Sequence, residues 1–194
     1  MHGLINRSIQ CFLRDTYGAA VWEDVARTAQ LGFDSFEAML AYEPSLTDAV
    51  LQAASHVLHR PRDTVLEDLG TYLVSHRNLE PLRRLLRFGG VTFVDFLHSL
   101  EDLPERGRLA LPDLDLPALA LADLGGGDFE VTVTGMFAGV GHVVTGLLRA
   151  MADDYGALVM LDHVGLHGGA ETVTVRLLDQ SFARGKRFDL AARP

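Results

Sequence analysis

The stretch FEVTVTGMFAGVGHVVTGLLRAMADDYG, residues 129–156, changes its apolar period from two to about 3.6 within a single segment. Phe129, Val131 and Val133 alternate with Glu130 and Thr132, the pattern of a half-buried strand. Val143, Val144, Leu147, Leu148 and Met151 then fall on one face of a helix spanning 139–155, which Gly156 closes as a glycine C-cap. Upstream, Leu119 and Leu121 alternate with alanine and reach Phe129 through Gly125-Gly126-Gly127, predicting a β-hairpin. Downstream, 158–161 and 172–177 read as two more strands, with Gly165, Gly168-Gly169, His163 and His167 at the turn between them. The order is ββαββ, which implies an antiparallel sheet crossed by one helix.

Everything before this unit is patterned as helix. Ile5, Ile9, Phe12 and Leu13 share a face over 4–17, ending at Gly18, and a second run from Val21 and Trp22 reaches Leu31 before Gly32. Ser45 and Asp48 have capping-box spacing ahead of Leu46, Val50, Ala53 and Val57. Further helices are predicted over 64–74, from Asn78 to Gly89-Gly90, and over 92–103, where Pro104 should stop or kink the last. The chain therefore reads as one α+β domain over 1–194, helical over about 1–106 and sheet-bearing over about 117–180, with a junction at 107–117 that includes Pro112 and Pro117.

Composition removes several function classes. Seventeen basic against 26 acidic residues give a net charge of −9, the wrong sign for neutralising nucleic-acid phosphates. A single cysteine, Cys11, excludes an intrachain disulfide and fits a reducing compartment. No long apolar run or signal-peptide core is present, so a cytoplasmic protein without membrane insertion is expected. Gly125-Gly126-Gly127 precedes a strand rather than a helix and is no phosphate loop, and no serine lies in a nucleophile elbow. Enzymatic activity is not expected. The stretch Arg83-Arg84-Leu85-Leu86-Arg87, with Glu80 nearby, reads as a solvated helix face. Eight histidines remain as the natural place to look for metal chemistry.

Several segments in order resemble the haem nitric oxide/oxygen-binding family, H-NOX or HNOB. They are Met1-His2-Gly3-Leu4-Ile5-Asn6, Arg14-Asp15-Thr16-Tyr17-Gly18 with Trp22, Gly70-Thr71-Tyr72, Gly89-Gly90, the run from Phe96 to Leu103, and Gly146-Leu147-Leu148 before Tyr155-Gly156. The resemblance covers nearly the whole chain and implies a helical part and a sheet-bearing part enclosing a haem. It also implies a non-catalytic sensor of a diatomic gas that regulates a guanylate cyclase, diguanylate cyclase, histidine kinase or chemotaxis receptor.

The departures fall on the haem contacts. The family's axial iron ligand is a histidine at the position held here by Pro104, which has no side-chain electron pair to offer iron. The family's Tyr-x-Ser-x-Arg grip on the haem propionates corresponds to Val133, Gly135 and Phe137, so all three polar contacts are replaced. His98 lies six residues before Pro104, roughly 120° around an ideal helix from the ligand face. His142 begins the helix after the hairpin and is the other candidate ligand. With Ile5 and Ile9 on the N-terminal helix, the expected pocket is Ile5, Ile9, Val133, Gly135 and Phe137.

Three functions follow as expectations. One is a sensory domain with a haem-free or altered apolar pocket, accepting a fatty-acid-like molecule or filled by side chains, and acting on a separate cyclase or kinase. A second is a haem-binding nitric oxide sensor using His98 or His142. A third is a ligand-free interaction module. His2, His56 and His59 are read as surface residues.

Overall fold

The N-terminal helix α1 (Gly3–Tyr17) begins where the His2 Nδ1 accepts the Leu4 amide at 3.1 Å, and it buries Ile9, Phe12 and Leu13. The computed structural model describes residues 1–111 and 113–186. Pro112, and the tail beyond 186 that the single-domain reading included, lie outside the described residues.

Helix α2 (Ala19–Thr28) stops short of the expected Leu31. Gln30 adopts a left-handed φ of 53° and the Leu31 amide reaches back to the Ala26 carbonyl at 3.1 Å, a closing pattern that turns Leu31 into the core. Helix α3 (Pro44–Leu58) begins one residue before the expected cap. Glu43 is its N-cap without a side-chain bond, Ser45 lies inside the first turn, and Asp48 pairs with Arg62 at 2.7 Å. The expected capping box is therefore absent there.

Helix α4 (Arg62–Ser75) leads through a 3-10 turn at Arg77–Leu79 into α5 (Glu80–Arg87). The capping box in this region belongs to α6 (Phe93–His98), where the Thr92 hydroxyl accepts the Asp95 amide at 3.1 Å and the Asp95 carboxylate accepts the Thr92 amide at 2.9 Å. Hydrogen bonding from Thr92, its backbone amide foremost, holds the Asp95 carboxyl below its ordinary range. A 3-10 turn at Leu100–Asp102 and α7 (Leu103–Ala110) complete the helical part.

The ββαββ unit forms as β1 (Ala118–Gly125), β2 (Asp128–Thr134), α8 (Val140–Tyr155), β3 (Leu158–His167) and β4 (Ala170–Asp179). Every neighbouring pair is antiparallel, in the order β1-β2-β4-β3. Gly156 closes α8 in the left-handed conformation, where a Cβ would be strained. Strands β3 and β4 are longer than expected. Gly165 is a bulge within β3 rather than part of the turn, and His163 lies inside the strand.

Two apolar clusters result. One holds Ile9, Phe12, Leu13, Trp22, Phe36, Leu51 and Leu66 in the helical part. The other joins Phe93, Phe96, Leu97 and Leu100 to α8 and to the inner sheet residues Phe129, Val131, Val133, Val173 and Val175. Helix α4 belongs to both, giving Leu66 and Leu69 to the first and Val74 to the second. It crosses α8 backbone to backbone: a Cβ on Gly70 would strike the Val143 carbonyl oxygen, and one on Gly146 would strike the Glu67 carbonyl oxygen. The Thr71 hydroxyl donates across the same crossing to the Gly146 carbonyl at 3.3 Å. Among the described residues no helix is long and apolar enough to cross a membrane.

Candidate functional site

Pro104 is buried in the first turn of α7. A first-turn amide has no intrahelical acceptor, so proline there sacrifices no hydrogen bond and its fixed φ suits the helix start. The break expected at Pro104 therefore lies upstream, at Ser99, and Pro104 opens a helix instead of ending one. Ser99 is held by its own hydroxyl, which donates to the Phe96 carbonyl at 2.8 Å, and by Arg106, which donates to the Ser99 carbonyl at 2.8 Å.

Val133 is 1% exposed and faces the sheet cluster, and Ile9 is equally buried in the helical one. Phe137 packs against both clusters and is the side chain that brings the two halves of the expected pocket together. Gly135 is exposed with φ of 100°, and Ile5 is half-buried. A surface cleft of about 520 Å³ lies nearby, lined by Met1, Leu40, Asp115 and Met136 among others, but none of the five expected pocket residues lines it.

The two candidate iron ligands are engaged elsewhere. His98 ends α6 with its side chain half exposed, 3.7 Å from the Asp123 carboxylate and edge-on to Phe129. His142 is 14% exposed. Its Nδ1 lies 3.4 Å from Glu67 and its Nε2 3.6 Å from Asp63, and its ring stacks on His163 at 3.9 Å. His163 Nε2 in turn lies 2.8 Å from Glu171, which is 5% exposed. Sequence reasoning missed His163, Glu171, Glu67 and Asp63. The available signal was parity: Val159, Leu161 and His163 alternate on one face once β3 is carried past Leu161.

Among the other histidines, His2 is the N-cap of α1, not a free surface residue, while His56 and His59 are exposed. Among the described residues no three His, Cys, Asp or Glu side chains are grouped to hold a metal ion. Burial pushes the half-buried Cys11 thiol up from its ordinary range, away from thiolate chemistry. At the positions that the resemblance assigns to the haem contacts the chain carries the buried Pro104 and Val133, Gly135 and Phe137, none of which offers an imidazole, hydroxyl or guanidinium, and both candidate imidazoles face carboxylates.

The arginine stretch on α5 also differs from expectation. Arg83 and Arg87 are each 13% exposed and converge on the fully buried Asp154 of α8. Arg83 Nε and Nη2 lie 2.9 and 2.7 Å from Oδ1, and the Arg87 guanidinium sits 3.8 Å over the Tyr155 ring.

A helical part that meets a four-stranded antiparallel sheet at the α4–α8 crossing and through Phe93, Phe96, Leu97 and Leu100 defines the α+β class of this domain. The sequence model of the Haem-NO-binding family, HNOB, matches residues 2–163, and the chain belongs to that family. It is 27% identical over 118 residues to the soluble guanylate cyclase gcy-31 of Caenorhabditis elegans, covering 61% of this chain and 17% of that one. It is 20% identical over 164 residues to soluble guanylate cyclase 89Da of Drosophila melanogaster, covering 84% and 25%. The chain thus spans a quarter or less of the length of these relatives. Among solved structures it matches an H-NOX protein from S. oneidensis with TM-score 0.78 and 16% identity, covering 93% of this chain and 97% of the other. An H-NOX protein from K. algicida matches with TM-score 0.76 and 17% identity, covering 92% and 97%. These structures show the fold.

Proposed function

We propose that this chain is a haem-independent regulatory domain of the HNOB family, acting on a cyclase or kinase carried by a separate chain. The observation that carries this reading is Pro104, buried at the position that the resemblance assigns to the axial ligand, together with candidate imidazoles that each face a carboxylate at 3.4–3.7 Å. The family and its cyclase relatives support a regulatory output rather than catalysis by the domain itself. Phe137 packs against both apolar clusters, so a fatty-acid-like ligand lodged between them would have to displace that ring.

Hemin titration of the purified protein tests the reading. The expected result is a broad, non-saturating absorbance that is the same for wild type, His98→Ala and His142→Ala. A sharp Soret band at one haem per chain, abolished by either substitution, would overturn it in favour of a gas sensor with a substitute ligand. For output, co-purification with a cyclase or kinase whose rate changes on binding is expected, and a bound enzyme with an unaltered rate would leave only an interaction module.

A further inference from the structure

A short antiparallel contact joins the start of α1 to the segment 40–42, and its outer side is unused. The Gly3 amide donates to the Leu40 carbonyl at 2.7 Å and the Tyr42 amide to the Met1 carbonyl at 2.9 Å, which makes His2 and Ala41 a non-hydrogen-bonded pair. In such a pair the N–H and C=O of each residue point away from the other strand. Those of Ala41 therefore point outward, and among the described residues neither is hydrogen-bonded. Ala41 is exposed and lines the cleft of about 520 Å³ that Met136 also lines. An open strand edge is thus set in the wall of a cavity.

The cleft supplies apolar contact and negative charge. Met39 and Leu40 on its rim are 74% and 54% exposed, and Met136 adds a third adaptable apolar side chain. Asp113 and Asp115 line the same cleft, Glu37 and Glu43 flank the 39–42 segment, and all four are exposed. Among the described residues none of these carboxylates is in an ion pair, and no lysine or arginine lines the cleft. The Met1 amine is turned to the Tyr42 carbonyl at 2.7 Å. Asn6 follows His2 by one turn on the same face of α1, is 1% exposed, and has no partner for its Nδ2. Helical side chains lean towards the helix N-terminus, so this amide leans towards the cleft. An occupant matching these groups brings N–H and C=O to Ala41, a carbonyl to Asn6, hydrocarbon to the methionines and cations to the carboxylates. An extended peptide alternating apolar and basic side chains has them all. A fatty acid has the wrong charge, and a second copy of this chain, at net charge −9, meets the acidic rim with like charge.

We propose that this cleft docks an extended basic segment of the separate chain on which the domain acts, added as a strand along Ala41. The inference rests on the reading of the domain as a regulator of another chain, and not on whether haem binds. Strand pairing gives the segment its direction, the carboxylates select its charge, and the methionines accept its apolar side chains. Met136 adjoins Phe137, the ring packed against both apolar clusters, so an occupied cleft bears on the residue next to the one that spans the two parts of the domain.

The probe is a fluorescent peptide of about eight residues that alternates valine with lysine, titrated with the protein at about 0.15 M salt. Saturable one-to-one binding is expected. The glutamate analogue should not bind, and a lysine analogue methylated on every amide nitrogen, which keeps the charge but cannot pair as a strand, should bind at least about tenfold more weakly. Asp113→Lys with Asp115→Lys, and separately Met39→Glu, should each weaken binding by about tenfold. Asp153→Lys with Asp179→Lys, the same charge change at the far ends of α8 and β4, should leave it within about twofold. Hydrogen exchange at the Ala41 amide should slow on saturation. Binding of the glutamate peptide, an equal loss from the far charge reversal, or unchanged exchange at Ala41 would each overturn the proposal. A co-purified enzyme whose affinity ignores the cleft substitutions would overturn the docking site and leave the regulatory reading standing.

Discussion

Asp154→Ala is expected to lower the unfolding free energy by about 3–5 kcal/mol, read from a urea melt at neutral pH. The carboxylate is fully buried on α8 and faces two guanidiniums that are themselves 13% exposed. Truncation removes the carboxylate that Arg83 and Arg87 both face, while the Arg83–Glu80 contact at 3.3 Å and the packing of Arg87 over Tyr155 stay. The loss comes mainly from uncompensated buried charge, because a buried pair costs far more to break than it contributes net over an apolar pair of the same shape. Asp154→Asn should fall between wild type and alanine, since the amide oxygen still accepts a hydrogen bond but supplies no charge. A loss under about 1 kcal/mol for the alanine variant would mean that water reaches both arginines, contrary to their burial.

Gly146→Ala is expected to destabilise the protein by about 3 kcal/mol. Alanine gains about 1 kcal/mol over glycine in a helix interior, so a net loss demonstrates that the space argument prevails. The obstacle is the Glu67 carbonyl, which is backbone of α4 and cannot swing aside as a side-chain end can. Gly70→Ala meets the Val143 carbonyl across the same crossing. The double variant is expected to lose less than the sum, because the first methyl already pushes the helices apart and makes room for the second. Full additivity would show that the two glycines act at independent places.

The period switch over 129–156 was enough to read the architecture, because a helix and a strand bury different residue spacings and both patterns are strong there. Boundaries were harder where local signals competed. Ser45 carries a capping side chain, but Pro44 pre-sets the helix one residue earlier. Pro104 reads as a breaker by itself and as a starter once Ser99 has turned the chain. For the site, the sequence offered only replacements at Pro104, Val133, Gly135 and Phe137, the positions that the resemblance assigns to the haem contacts. The His142–His163 stack was not legible, because those residues lie 21 positions apart and meet only when α8 is laid over the sheet. Asp154 was hidden for the same reason: nothing local to it announces two arginines from α5.

The sheet ends on β3, and that edge has a colloidal consequence. Its outward row reads Leu158, Met160, Asp162, Val164, Leu166, with Met160, Val164 and Leu166 each more than half exposed. An unpaired rim of this composition is a template on which another strand can polymerise. The two irregularities in its pairing with β4, at Leu158/Val159 and His163/Gly165, bend the rim, and Asp162 places one negative charge at its centre. Asp162→Val removes that gatekeeper without touching the interior. It should leave the melting curve almost unchanged while bringing turbidity to a concentrated solution, so that for this protein solubility and folding stability are set by different residues.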